Sequence, residues 1–275
     1  MARCKCNGAA ASADVSRRSA RRREHRGNLA PAAPVAAATA ATRAARVPAV
    51  DALRGLAILA MVAYHFCFDL RYFGVTQWDF HRDPLWLNAR TMILSSFLLI
   101  AGVSLVLADR GMVSRARFWR HAGIILACAV AVSAASYALF PASWIWFGVL
   151  HAIFVSLILS RPLVRRPALA LFVGVCVIAA GNLFTHPLFD GPAFGWLGFM
   201  TAKPHTEDYV PLFPWTGVLL LGIAGGHALM RAEFRPIAFA AKWPRPMAWL
   251  GRHSLATYMV HQPLLIGLLF LVVGR

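Results

Sequence analysis

The chain has 275 residues, of which 59% are hydrophobic and 14% are charged. Soluble domains contain about 45–50% apolar and about 25% charged residues, so this composition excludes an ordinary soluble domain and predicts a membrane protein. The formal net charge is +17, and 10 of the 28 lysines and arginines lie in the first 46 residues. Much of the excess positive charge therefore belongs to the N-terminal tail.

Residues 1–47 consist mostly of Ala, Arg, Ser and Pro and show no periodic apolar pattern. Such a segment buries too little apolar surface to offset the entropy lost on ordering. We therefore predict a disordered basic tail over 1–47 and a single membrane domain over 48–275. Because a membrane helix follows directly, we expect the tail either to contact anionic lipid headgroups or to have no role, and not to bind nucleic acid.

From residue 50 onward, apolar stretches approach the roughly 20 residues that are needed to cross a bilayer. They predict an all-α, polytopic membrane protein with about seven transmembrane helices, at 50–68, 86–107, 121–140, 144–160, 167–184, 211–230 and 253–273. Arginine is concentrated in the tail and in the alternate loops 109–120, 161–166 and 231–252. By the positive-inside rule, the N-terminus and these loops are cytoplasmic.

The first predicted helix contains three ionisable residues, Asp51, Arg54 and His65. A charge at membrane depth costs about 2.5–3.5 kcal/mol on insertion scales, so each needs a partner or a function. Asp51 and Arg54 share a face near the cytoplasmic end, where either a salt-bridged helix start or a binding role explains them. His65 follows Arg54 by eleven positions, or three helical turns, and so lies on the same face roughly 16 Å further out.

The predicted outer loop at 70–84 is rich in polar and aromatic residues. In it, His81 lies between Asp79 and Asp83. A neighbouring carboxylate fixes the tautomer of an imidazole and raises its basicity, which predicts a general base at His81. The alternative is a solvated histidine at the membrane surface.

Three further polar residues lie in or beside apolar stretches. His151 falls near the middle of the predicted fourth helix, and His261 precedes Gln262 and Pro263 in the last one. Both histidines fit either hydrogen-bonded packing or an internal site. For His261, Pro263 frees a backbone carbonyl nearby that could accept such a hydrogen bond. Asp208 lies among aromatic residues and prolines, which suits carbohydrate binding or an aromatic belt. The histidines lack the spacing of a metal motif, so no metal is expected.

Four blocks of the sequence together resemble the heparan-α-glucosaminide N-acetyltransferase catalytic-domain family over roughly residues 47–270. The blocks are Val50-Asp51-Ala52-Leu53-Arg54-Gly55-Leu56-Ala57; Tyr64-His65-Phe66 with Phe68-Asp69-Leu70; Asp208-Tyr209-Val210-Pro211 with Pro214-Trp215; and Gly251-Arg252-His253-Ser254-Leu255 with Tyr258 and His261-Gln262-Pro263.

The resemblance implies a multi-pass protein of the bacterial inner membrane that moves an acetyl or other short acyl group. The donor would be cytoplasmic acetyl-CoA or another acyl-CoA, and the acceptor a saccharide on the outer side. In the related acyltransferase-3 proteins, an arginine and a histidine with ten residues between them mark the first helix, as do Arg54 and His65 here. In the lysosomal members of the family, the catalytic histidine lies in the following outer loop, at a position similar to His81.

The sequence therefore predicts two candidate catalytic histidines and does not decide between them. Either one would deprotonate the acceptor hydroxyl or amine, or briefly carry the acyl group. The predicted catalytic residues are His65 and His81, and the predicted substrate-binding residues are Arg54, Asp51, Asp79, Asp208, His151 and His261. A transporter or flippase of a polar envelope precursor is the rival hypothesis, since it would use the same buried polar groups as a pathway. Inverted repeats would favour the rival, and the sequence shows none.

Overall fold

A computed structural model describes residues 47–111 and 114–274 of the chain. Apart from Val47, the predicted disordered tail lies outside the described residues and stays a prediction. The described residues form eight α-helices: α1 (Pro48–Tyr72), α2 (Pro84–Arg110), α3 (Arg115–Leu139), α4 (Val149–Ser160), α5 (Pro167–Leu183), α6 (Leu212–Arg231), α7 (Arg245–Arg252) and α8 (Ser254–Val273). Short 3₁₀ helices occupy Arg161–Leu163, Pro187–Phe189, Gly195–Leu197 and Arg235–Lys242.

Proline and short polar residues determine where several helices begin. A proline lies in the first turn of α1, α2 and α5, where its missing N–H would have no partner inside the helix. The side chain of Asp83 accepts a hydrogen bond from the backbone N–H of Leu85 at the start of α2. Ser114 accepts one from Arg117 at the start of α3. These caps satisfy backbone donors that the first helical turn leaves unpaired.

The predicted fold class is confirmed: the chain is an all-α membrane protein with several spans. Five helices, α1, α2, α3, α6 and α8, are long and apolar enough to cross a membrane. The stretches Val149–Leu163 and Pro167–Leu183 are apolar but shorter. At 1.5 Å per residue, the 17 residues of α5 extend about 25 Å, at the lower limit for a membrane span. The count of seven spans and the cytoplasmic N-terminus stay predictions.

Reporter fusions on either side of α5 test the count of spans. If α4 and α5 both cross, the positive-inside rule places Arg166 in the cytoplasm and His205 outside. We therefore expect a cytoplasmic signal from a reporter after Arg166 and an external signal from one after His205. If both reporters are external, α4 and α5 do not cross and the chain has five spans.

The helix α6 lies between α2 and α5 and packs closely against both. Gly102 of α2 and Gly222 of α6 each face the main chain of the opposite helix, where any side chain would collide. Gly217 of α6 and Gly174 of α5 make the same kind of contact on the other side. Small residues let membrane helices approach closely, and close van der Waals packing is what holds such helices together.

The largest apolar core involves α2, α3, α4 and α6, and its most buried members include Leu98, Val106, Ala129, Leu219 and Ile223. Outside this core, α1 packs against α2, α7, α8 and the 3₁₀ helix Arg235–Lys242. The helix α1 therefore holds its polar residues against α2 at one point and against α8 at another.

The predicted fourth helix begins later than the sequence indicated. It was predicted at 144–160, whereas α4 starts at Val149. The backbone of Gly148 is extended just before the helix. A carboxylate from a distant segment accepts a hydrogen bond from the first helical turn. The prediction was wrong because residues 144–147 are apolar enough to continue a membrane helix. The observed start depends on a tertiary contact, which the local sequence does not show.

Candidate functional site

Two histidines from opposite ends of the sequence meet where α1 packs against α8. The Nε2 atom of His261 lies 3.3 Å from the Nδ1 atom of His65, and the ring centroids are 5.0 Å apart. His261 is buried, with 8% of its surface exposed, and His65 is half-buried. The sequence indicated these residues separately, and only the pairing of α1 with α8 shows that they form one site.

A second polar contact between α1 and α8 lies next to the histidine pair. The side-chain amide of Gln262 donates a hydrogen bond of 2.8 Å to Asp69, which is 3% exposed. The second carboxyl oxygen of Asp69 and the amide oxygen of Gln262 are both buried without a hydrogen-bond partner among the described residues. Asp69 was not predicted as a site residue, although it lies four positions after His65 and so on the same face of α1.

The contact between Gln262 and Asp69 should contribute measurably to stability. Replacing Gln262 by leucine leaves a buried carboxyl group without its donor, which costs about 1–3 kcal/mol. We expect Gln262→Leu to lower the midpoint of thermal unfolding of the purified protein. Gln77→Leu is the control, because Gln77 is exposed in a loop. Equal midpoints for both variants would contradict a stabilising role for the contact.

Aromatic side chains surround the histidine pair. The ring of Tyr64 lies edge-on to His65 and also to Phe80 and Trp86, with centroids 5.5–5.9 Å apart. Phe80 is 3% exposed, so the loop between α1 and α2 is anchored beside the pair. Tyr258 lies 5.6 Å from His261 on the other side. The imidazoles are therefore held by packing as well as by hydrogen bonds.

The carboxylates beside His81 bond backbone groups of the turn, and a general-base role of His81 stays a prediction. Asp79 accepts hydrogen bonds from the backbone N–H groups of His81 and Arg82, and these bonds lower the pKa of Asp79. Asp83 caps α2 through Leu85. Both carboxylates stabilise the turn, because short acidic side chains readily bond nearby backbone N–H groups.

The exposed side chain of His81 lines a surface pocket of about 340 Å³. The other lining residues come from the end of α1 and the loop after it: Phe68, Arg71, Tyr72, Gly74, Thr76 and Gln77. The pocket thus begins one helical turn beyond His65 along α1, because Phe68 follows His65 by three positions.

Asp208 and His151 each accept a hydrogen bond from a backbone N–H group at the start of α4. The Asp208 carboxylate accepts a hydrogen bond of 2.8 Å from the backbone N–H of Val149, and Gly148 has no side chain to block it. Burial raises the pKa of Asp208, and the bond from Val149 and the nearby Lys203 ammonium oppose that rise.

His151 also differs from its predicted place near the middle of a helix. It is the third residue of α4, and its Nδ1 atom accepts a hydrogen bond of 3.3 Å from the backbone N–H of Gly148. Its Nε2 atom lies 3.5 Å from the hydroxyl of Ser133. These contacts help to shape the start of α4, and a role of His151 or Asp208 in binding substrate stays a prediction.

Arg54 and Asp51 form the predicted pair at the other end of α1. Their side chains are 3.2 Å apart, and Arg54 also donates a hydrogen bond of 2.6 Å to the hydroxyl of Ser104 on α2. Ser104 was not predicted as a site residue, because it meets Arg54 only through the packing of α1 against α2.

The part of the chain described by the structure contains no group of three His, Cys, Asp or Glu side chains placed to hold a metal ion. The candidate site consists of two polar regions on α1, one around Arg54 and one around His65. Their separation is about 16 Å along the helix axis, at 1.5 Å for each of eleven residues.

Comparison with known proteins gave one family. The family model described as "Heparan-alpha-glucosaminide N-acetyltransferase, catalytic" matches residues 46–263, which is well over half of the chain. Neither the curated proteins nor the solved structures gave a match.

Proposed function

Because the chain belongs to the heparan-alpha-glucosaminide N-acetyltransferase catalytic-domain family, a family of membrane N-acetyltransferases, we propose that it carries an acyl group from acyl-CoA to a saccharide across the membrane. The donor is cytoplasmic acetyl-CoA or another short acyl-CoA, and the acceptor is a saccharide on the outer side. The membrane is the bacterial inner membrane. The contact between His65 and His261 is the observation that carries the proposal.

His65 is the proposed general base. The acceptor amine or hydroxyl attacks the thioester carbonyl carbon, His65 takes its proton, and the carbon–sulfur bond breaks to release CoA thiolate. The thiolate then takes that proton from His65, which regenerates the neutral base, so no other reactant is needed. A general base must come within about 2.6–3.2 Å of the proton that it removes. His65 as a residue is only half-buried, so an acceptor can approach it.

The region around Arg54 is the proposed binding site for the donor phosphates. A guanidinium binds phosphate through two parallel hydrogen bonds, and arginines in the predicted cytoplasmic loops add positive charge at the same level. The pantetheine arm of CoA is long and flexible, so it can extend from Arg54 toward His65. Asp51 and Ser104 hold the guanidinium in place beside the entering donor.

Arg54→Lys should weaken the binding of acyl-CoA by about tenfold or more. Lysine keeps the positive charge but loses the planar fork that binds phosphate bidentately. The measurement is the affinity of the purified variant for acetyl-CoA by titration calorimetry, with Arg235→Lys as the control. Arg235 is an exposed arginine whose only ion pair among the described residues is to the neighbouring Glu233. Equal donor affinities for the variant and the wild type would leave Arg54 with a structural role.

The function itself is tested with purified protein, labelled acetyl-CoA and a set of saccharides with and without free amines. We expect CoA release that depends on the saccharide, together with labelled saccharide. A transporter or flippase would bind or move a saccharide and leave the thioester intact. That result would overturn the proposal.

A further inference from the structure

The hydrogen bonds around the two histidines determine which ring nitrogens carry protons. A carbonyl oxygen only accepts hydrogen bonds, so an imidazole nitrogen that faces one must carry the hydrogen. The Nδ1 atom of His261 lies 2.6 Å from the carbonyl oxygen of Tyr258. In the neutral ring, His261 therefore has its proton on Nδ1 and a lone pair on Nε2.

The same reasoning then applies to His65. Its Nδ1 atom lies 3.1 Å from the carbonyl oxygen of Met61 and 3.3 Å from the Nε2 atom of His261. Both neighbours are acceptors, since the Nε2 atom of His261 has the lone pair. His65 must therefore have its proton on Nδ1, and its lone pair lies on Nε2.

We propose that His261 is a positioning residue, which holds His65 in the tautomer whose Nε2 atom is free to remove the acceptor's proton. The tautomer assignment stands on hydrogen-bond geometry alone, whereas its catalytic use rests on the proposed function. His261 itself has little surface left for a substrate, because it is 8% exposed. This role differs from the substrate contact that the sequence predicted for His261.

The contact between His65 and His261 also stabilises the imidazolium form of His65 that arises during the proposed transfer. When His65 takes a proton on Nε2, it becomes an imidazolium that still donates from Nδ1 to His261. A hydrogen bond with a charged donor is roughly twice as strong as a neutral one, so His261 stabilises the charged ring more than the neutral ring. The carbonyl of Tyr258 keeps His261 in the accepting tautomer throughout.

The tautomers can be measured without any activity. Full-length protein with ¹⁵N-labelled histidine is placed in lipid bilayers and studied by solid-state NMR, with a His65→Gln spectrum to identify the signals of His65. We expect a protonated Nδ1 and an unprotonated Nε2 at His65 in the wild type. A protonated Nε2 with a bare Nδ1 would overturn the assignment, whatever the protein transfers.

Kinetics of two substitutions then test the positioning role. His261→Leu removes the side-chain acceptor of the His65 Nδ1 proton and leaves only the Met61 carbonyl. We expect kcat to fall about 10- to 100-fold, the range seen when a partner that orients a metal-bound histidine is removed. The KM for acetyl-CoA should stay unchanged. His261→Gln places an amide oxygen near the position of Nε2, so it should recover a large part of kcat.

A matched control separates catalysis from stability. His227 is a buried histidine of α6 that bonds the carbonyl oxygen of Val164 at 2.7 Å, outside the proposed site. His227→Leu should lower the unfolding temperature but leave the kcat of the folded fraction unchanged. An unchanged kcat in His261→Leu, or no recovery in His261→Gln, would overturn the positioning role while leaving the proposed function intact.

Discussion

Replacing His65 by alanine is expected to lower acyl transfer by about 10²- to 10⁴-fold, the usual contribution of a general base. The variant should remain folded and keep its affinity for acetyl-CoA, because the proposed site for the donor phosphates, at Arg54, lies three helical turns away. His65 is the better candidate base because α1 holds it rigidly and His261 bonds it, whereas His81 lies exposed in a turn.

His81→Ala is the matched comparison and should lower turnover less. His81 lines the pocket beyond His65, so its loss is expected to raise the KM for the saccharide more than it lowers kcat. Both variants are assayed with the same labelled donor and acceptor. A fully active His65→Ala protein and an inactive His81→Ala protein would show that His81 is the base. Full activity in both variants would exclude a histidine base at either position.

A single methyl group at Gly251 is expected to destabilise the protein severely. Gly251 of α7 packs against the main chain of α1. A Cβ atom at Gly251 would collide with the carbonyl group of Asp51 and would lie 2.9 Å from the backbone nitrogen of Gly55. Main chain cannot move aside as a flexible side chain can, so Gly251→Ala must separate α7 from α1. We expect a loss of at least about 2–3 kcal/mol in the free energy of unfolding.

Gly123→Ala is the matched control. Gly123 is also inside a helix, but nothing lies within 4 Å of where its Cβ atom would be. Alanine favours a helix over glycine by about 0.8–1.0 kcal/mol, so this variant should be as stable as the wild type or more stable. Thermal unfolding of the two variants in the same detergent gives the comparison. If Gly251→Ala unfolds at the wild-type temperature, the close contact between α1 and α7 is wrong.

The contact at Gly251 also bears on the donor site. Asp51, whose carbonyl group faces Gly251, forms the ion pair with Arg54. A shift of α7 would therefore move the residues proposed to bind the donor phosphates. This gives a structural reason for a glycine at the start of the Gly251-Arg252-His253 block.

The sequence predicted the fold class well because hydropathy is a local property. Long apolar stretches indicated α1, α2, α3, α6 and α8, and all five are long and apolar enough to cross a membrane. The start of α4 could not be predicted, because Asp208 bonds Val149 from 59 residues away. A cap that comes from a distant segment leaves no pattern in the sequence around the helix.

The candidate site was predicted residue by residue but not as an arrangement. The spacing of Asp51 and Arg54 correctly predicted their contact, because residues three apart on a helix are neighbours. His65 and His261 are 196 positions apart, so their contact depends on the packing of α1 against α8. The backbone bonds of Asp79 and Asp83 were not predicted, although short acidic side chains in a turn readily bond nearby backbone N–H groups.

The most direct test of the proposed function follows the acyl group across a membrane. The purified protein is reconstituted in sealed vesicles, with acetyl-labelled acetyl-CoA on the side of the Arg54 end and glucosamine-terminated oligosaccharides on the other side. We expect labelled saccharide to form on the side opposite the donor and CoA to be released on the donor side, in wild-type vesicles and not in His65→Ala vesicles. Folded wild-type protein that releases no CoA with any amine or hydroxyl saccharide, from either side, would contradict the account.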